Sequence, residues 1–315
     1  MRLFPIGFRL VGILGAGILV GCDSPPVSNP GDVSQLNVVA TSTMIADWVA
    51  EVGGAEIALD GILEPGVDPH IYEPVPEDSI ALEEADLIFY NGYNLEPNLI
   101  RLIQSAGIQA HTVAVGEIVS PLDFDDEGQQ VPDPHVWGDV DNAIEMVELI
   151  RNELTELAPE QAALFANNAA DYIDELTQLD AWIEAQIATV PSTQRQLVTT
   201  HDAFQYYTSA YGLEVAGTLI GISTEEQPSA QTVQQLADTI RALGVPAIFA
   251  ETTINPRLIT AVAEEAGVQL ASTELYSDSI GAPGSEGEDY ISMMVANTRT
   301  LVENLGGNYS SFTGN

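Results

Sequence analysis

Four histidines occur in the 315 residues, and three of them sit where an imidazole has little freedom. His70 closes Asp68-Pro69-His70, His135 closes Asp133-Pro134-His135, and His201 follows the apolar run Leu197-Val198-Thr199-Thr200. A proline pushes the residue before it out of helical geometry, so each Asp-Pro-His reads as a stiff extended elbow. An imidazole on such an elbow suits metal ligation, because little side-chain freedom is left to lose. A lone histidine is ordinarily a satisfied core or surface residue; the repeated elbow is what argues for a metal. Asp278, in the loop after the last expected strand, adds a carboxylate. The four residues are separated by 65, 66 and 77 positions and come from four different loops. Neutral imidazoles with one carboxylate suit a divalent transition ion, and four protein donors suit a closed, tetrahedral-like shell. Three nitrogens favour zinc; manganese, which prefers oxygen-rich shells, is the alternative. Glu251 ends another expected strand and reads as an acceptor for an imidazole N–H, with an ion pair between lobes as the competing role. His111 begins a strand outside any such pattern and reads as structural.

The elements that must carry these residues alternate. Apolar, strand-like runs are expected at Leu36–Ala40, Glu56–Leu63, Asp86–Tyr90, His111–Val115, Gln196–Thr200, Glu214–Leu219, Ala247–Glu251 and Val268–Ser272. Helical patterns are expected from Thr43 (as cap) to Val52, then at Pro76–Glu84, Glu96–Ser105, Val140–Leu157, Pro159–Thr189, Ala203–Tyr211, Ala230–Leu243, Pro256–Ala266 and Asp289–Leu305. Strands separated by ten-to-fifteen-residue helices indicate βαβ units and parallel sheets, whose ligands bind beyond the carboxyl ends of the strands. The expected fold is α/β, with two such lobes, 36–158 and 191–315, joined by one long rigid helix within 159–190. The acidic stretch between Gly116 and Pro134 reads as an irregular, solvated loop.

The beginning is of another kind. Arg2 and Arg9 precede an apolar stretch, Leu10 to Val20, that is too short to span a bilayer and reads as a secretory signal, 1–21. Cys22 is the single cysteine, so no intramolecular disulfide can form. Residues 22–35, rich in Pro and Gly, read as a flexible tether. After Cys22 come all 47 acids, six arginines and no lysine, a net charge of about −41. Nucleic acid and anionic membrane surfaces are poor partners for such a chain. With 45% apolar residues and dispersed acids, it is a folded protein with an acidic skin, of the kind suited to salt-rich surroundings.

Several segments together resemble the zinc/manganese solute-binding lipoproteins of bacterial ABC importers (cluster A-I, solute-binding protein family nine). They are Val38–Thr41, Pro65–His70 with Tyr72-Glu73-Pro74, Ala85–Gly92, Asp133–Trp137, Thr200–Phe204 with Tyr211-Gly212-Leu213, and Leu275–Asp278. Leu19-Val20-Gly21-Cys22 resembles a lipobox, in which Cys22 is lipidated. The resemblance covers nearly all of the chain after Cys22. It implies two lobes with one metal in the cleft between them, bound by His70, His135, His201 and Asp278. It also implies a membrane permease as partner, an extracytoplasmic location and a lipid anchor; a monomer without catalytic residues is expected. Manganese-binding members often carry glutamate where this chain has His201, and zinc-uptake members often carry a histidine-rich loop that Gly116–Pro134 lacks. The competing classes are a secreted zinc hydrolase and an adhesin or interaction lipoprotein. A hydrolase would keep an open metal position and a general base. The His-Glu-x-x-His helix and the nucleophile elbow are both absent.

Overall fold

Strand β1 (Leu36–Ala40) lies at the centre of the first half, between β2 (Ile57–Gly61) and β3 (Leu87–Tyr90), with β4 (His111–Ala114) outside β3. All three pairings are parallel. Parallel strands covered on both faces read as continuous apolar runs, and Val38, Val39 and Ala40 are all buried. Helices α1 (Thr43–Gly53), α2 (Pro76–Glu84) and α3 (Pro97–Ile103) supply the crossovers. The cap of α1 is Ser42 rather than Thr43: the Ser42 hydroxyl accepts from Ile45 N, which frees the Thr43 hydroxyl for another task. The computed structural model describes residues 35–314 apart from 106, 127 and 128. The expected signal segment, Cys22 and nearly all of the tether lie outside the described residues.

The stretch 116–134 departs from expectation. It contains an antiparallel pair, β5 (Asp123–Asp126) and β6 (Gln129–Pro132), with Phe124 opposite Val131. Aspartate has low strand propensity, so Asp123-Phe124-Asp125-Asp126 does not read as a strand; one apolar cross-strand pair supports it. Helix α4 (Val140–Leu157) follows, capped by Asp139, and then a 3-10 turn at Pro159–Gln161 leads into α5 (Ala162–Ala188).

Helix α5 has 27 residues, so it is about 40 Å long. It is more than a strut. Phe165, Tyr172, Leu176, Leu179 and Ile183 are buried in a core that also holds Trp48 and Val147 from the first half and Leu197, Phe249 and Leu301 from the second. Residues Gln35–Asn315 accordingly form one compact unit.

The second half repeats the α/β alternation with shorter strands. Strand β7 (Gln196–Thr199) pairs in parallel with β8 (Glu214–Thr218), and β9 (Ala247–Ile248) with β10 (Gln269–Leu270). Helices α6 (Gln205–Tyr211), α7 (Ala230–Leu243), α8 (Arg257–Ala266) and α9 (Tyr290–Asn304) complete it. The expected strand Ala247–Glu251 is cut to two residues because its partners change along its length. Phe249 N donates to Val198 O, whereas Leu275 N donates to Ala250 O and Thr252 N to Leu275 O. Glu251 thereby bridges to Leu275, three residues before Asp278. Among the described residues no helix is long and apolar enough to cross a membrane.

Candidate metal centre

His70 lies in the loop after β2, His135 directly after β6, His201 after β7 and Asp278 after the Glu251–Leu275 bridge. The four converge: one donor atom from each lies within 4.8 Å of the others. Burial is nearly complete, at 2% exposure for His70, 1% for Asp278 and 0% for His135 and His201. His70 Nε2 is 3.2 Å from His135 Nε2 and 4.0 Å from Asp278 Oδ2. His135 Nε2 is 3.4 Å from Asp278 Oδ1, and His201 Nε2 is 3.1 Å from Asp278 Oδ2. Tetrahedral donors held at ~2.0–2.2 Å from a zinc ion are separated by roughly 3.3–3.6 Å, so these spacings fit a shared ion. The unpaired atoms point the same way. His201 Nε2 and both oxygens of Asp278 are buried without a hydrogen-bond partner, a costly arrangement for a site built of protein alone.

Each histidine has an acidic partner of its own. Asp133 Oδ1 accepts from the backbone N of His135 at 3.0 Å and lies 2.7 Å from its ring Nδ1, which leaves Nε2 as the free donor. Glu251 does the same for His201: Oε1 accepts from Thr200 N at 2.7 Å and His201 N at 2.9 Å, and Oε2 meets His201 Nδ1. Glu251 thus sits behind an imidazole rather than in an ion pair between lobes. Asp68 accepts from the backbone N of His70 at 3.0 Å, while its other oxygen takes the Thr224 hydroxyl at 2.6 Å. His70 also borders a cavity of about 760 Å³ lined by Tyr93, Phe124 and Ile222 among others.

The electrostatics follow from burial and crowding. Burial pushes His70 down to about 3, helped by the neighbouring imidazoles, so it is neutral and ready to ligate. Burial pushes His201 the same way, but Asp278 and Glu251 on either side outweigh it and hold the imidazole well above its ordinary range. Burial raises Asp278, and the imidazoles around it, His201 foremost, more than reverse it, keeping the carboxylate ionised.

The structure brings together the four residues that the sequence singled out, with Glu251 behind His201, and the sequence reading stopped there. It missed Asp133 and Asp68 as side-chain acceptors, having given them only a backbone role; an aspartate two residues before a candidate ligand was the available signal. His111 stands apart from the cluster and meets Glu153 of α4 at 2.8 Å, half exposed.

A buried three-histidine, one-aspartate centre gathered from four loops of an α/β fold that carries one long helix defines a metal solute-binding protein. Residues 38–304 match the family described as zinc-uptake complex component A, periplasmic (ZnuA), and the chain belongs to it. Members of this family are solute-binding proteins of ABC importers, not enzymes. The manganese-binding lipoprotein MntA of Halalkalibacterium halodurans is 33% identical over 298 residues, covering 95% of this chain and 98% of its own length. The manganese ABC transporter substrate-binding lipoprotein PsaA of Streptococcus pneumoniae is 32% identical over 307 residues, covering 95% and 98%. Among solved structures, the periplasmic zinc-binding protein TroA of Treponema pallidum superposes with a TM-score of 0.81 at 34% identity, over 86% of this chain and 99% of its own.

Proposed function

We propose that this chain captures one divalent transition-metal ion with His70, His135, His201 and Asp278 and hands it to the permease of an ABC importer. The observation that carries this reading is the buried, unpartnered state of His201 Nε2 and both Asp278 oxygens, all facing the other donors. The ion is cargo, so a closed shell serves capture, and no open position for a substrate is needed. Glu251 and Asp133 fix the tautomers of His201 and His135. The lobes are 36–158 and 191–315, with the helix within 159–190 between them. Cys22 carries the lipid that holds the monomer on the extracytoplasmic face of a membrane, in keeping with the lipoprotein names of MntA and PsaA.

Zinc is the cargo that the donor set favours, since three imidazoles make a nitrogen-rich shell. Manganese is the second reading, and the names of MntA and PsaA favour it. Tight zinc binding in vitro does not separate the two, because manganese lies at the weak end of the divalent series in nearly any site. The test is His201→Glu with zinc and manganese competed against each other. Under the zinc reading the change weakens zinc more than manganese; an unchanged ratio removes His201 from the ligand set or from selectivity. A wild-type chain whose melting temperature is unmoved by chelator would overturn metal capture itself.

A further inference from the structure

Asp278 is the donor whose side chain lacks a support of its own. His135 leans on Asp133 and His201 on Glu251, but neither oxygen of Asp278 has a hydrogen-bond partner. Its aim must therefore come from the backbone on either side, and that backbone is fastened across the molecule. Up to Tyr276 the segment belongs to the second half: Leu275 pairs with Glu251, and Asn297 of α9 accepts from Tyr276 N and donates to Tyr276 O. From Ser277 on, partners from the first half join in, while the Ser277 hydroxyl still meets Thr253 at 3.3 Å. Trp137 Nε1, two residues past His135, donates to Ser277 O at 3.0 Å. Gly66 N, on the approach to His70, donates to the Ser279 hydroxyl at 2.7 Å. The Thr43 hydroxyl, which is not needed for capping, lies 3.2 Å from Ser279 Oγ and 3.3 Å from Met44 Sδ, and accepts from Ile280 N at 3.0 Å. Thr43 and Ser279 are both buried, so water cannot replace these bonds.

We infer that Thr43 is a positioning residue for the metal site: through Ser279 and Ile280 it sets Asp278 in the frame of the first half. This inference rests on the metal-capture reading above. A donor that the chain order assigns to the second half is thereby tied to the first half as well.

The experiment measures zinc affinity of the full chain by competition with a chromogenic chelator, and the visible absorption of bound cobalt, for wild type, Thr43→Val and Thr43→Ser. Thr43→Val keeps the shape and removes the hydroxyl. It is expected to weaken zinc about tenfold, the scale of one or two buried hydrogen bonds, and to alter the cobalt bands. Thr43→Ser is expected to restore both. The decisive arm is a double-mutant cycle. The loss from Thr43→Val should vanish in an Asp278→Ala background and persist in a His201→Ala background. Equal losses in both backgrounds, or wild-type affinity and cobalt spectrum in Thr43→Val, overturn the inference. If Thr43→Val fails to fold, Ser279→Ala takes its place in the same cycle with the same outcomes. A wild-type chain that binds neither zinc nor cobalt refutes the capture reading instead, and is told apart by that control.

Discussion

Asp68-Pro69-His70 and Asp133-Pro134-His135 are the same three residues, and they begin in the same way. In each, the aspartate accepts from the backbone N of its own histidine at 3.0 Å. Beyond that they part. At the second elbow the same oxygen also reaches the ring Nδ1, so the motif orients its own imidazole. At the first elbow the spare oxygen is taken by Thr224, 156 residues away, and no contact runs from Asp68 to the ring. The surroundings follow suit. The second elbow is gripped on both sides, with Asn91 Nδ2 donating to Pro134 O and Tyr206 OH to Asp133 O. The first is entered through Gly66, at φ +86°, a left-handed conformation that glycine adopts without strain, and His70 borders the cavity. The tripeptide spells out a backbone turn. What it does for the metal depends on which group claims the second half of the carboxylate's capacity.

The largest expected effect tests that contrast directly. Asp133→Ala removes the acceptor that fixes His135 and should weaken zinc by about 10–100-fold, the usual range for a lost partner of a ligating imidazole. Asp68→Ala removes only a backbone acceptor and a tie to Thr224, and should cost about tenfold less than Asp133→Ala. Competition with a chromogenic chelator reads both. Equal losses would mean that the two elbows work alike.

A smaller effect sharpens the comparison from behind the second elbow. Asn91, which holds Pro134, is itself held by Glu96, whose Oε1 accepts from Asn91 N and from the Thr41 hydroxyl, each at 2.7 Å. Burial raises the Glu96 carboxyl to about 7, against the opposing pull of those hydrogen bonds. A carboxyl whose folded pKa lies above its unfolded value binds a proton more tightly in the folded state. Stability from this group is therefore lost as pH rises from the ordinary glutamate value to about 7, at up to ~1.4 kcal/mol per pH unit. Glu96→Gln should flatten urea-unfolding stability over that window relative to wild type. An unchanged slope would remove Glu96 as a titrating prop.

Helices α4 and α7 were legible to the residue, because a 3.6-residue apolar period ran between a capping Asp139 or Ser229 and a clear stop. Strand ends were less so, as at Ala247–Glu251, where pairing passes from one neighbour to another in mid-strand. The hairpin at 123–132 was hidden by its aspartates. At the site, histidines on repeated elbows announced themselves, while Thr43, Trp137 and Ser279 did not. A hydroxyl or indole that bonds a partner 140 or more residues away leaves no local pattern, since only the folded chain brings the pair together. Thr43 was read as a helix cap, a sound inference from type and place, and Ser42 beside it took that task.

The smallest effect is expected at Thr224. Its hydroxyl is the single described bond between the loop after β8 and the first elbow, and it ends on the Asp68 oxygen that His70 does not use. Thr224→Val leaves Asp68 Oδ1 on the backbone of His70, and Asp68 is at the rim of the buried set, where water can serve Oδ2 instead. One such exchange is worth ~0.5–1.5 kcal/mol, so zinc should weaken no more than about tenfold and less than in Asp68→Ala. The two substitutions should not add: with Asp68 already alanine, Thr224 has nothing to hold, and Thr224→Val should change zinc affinity no further. An additive loss would mean that Thr224 acts by another route, and that the first elbow is gripped from the second half as firmly as the second elbow is by its own aspartate.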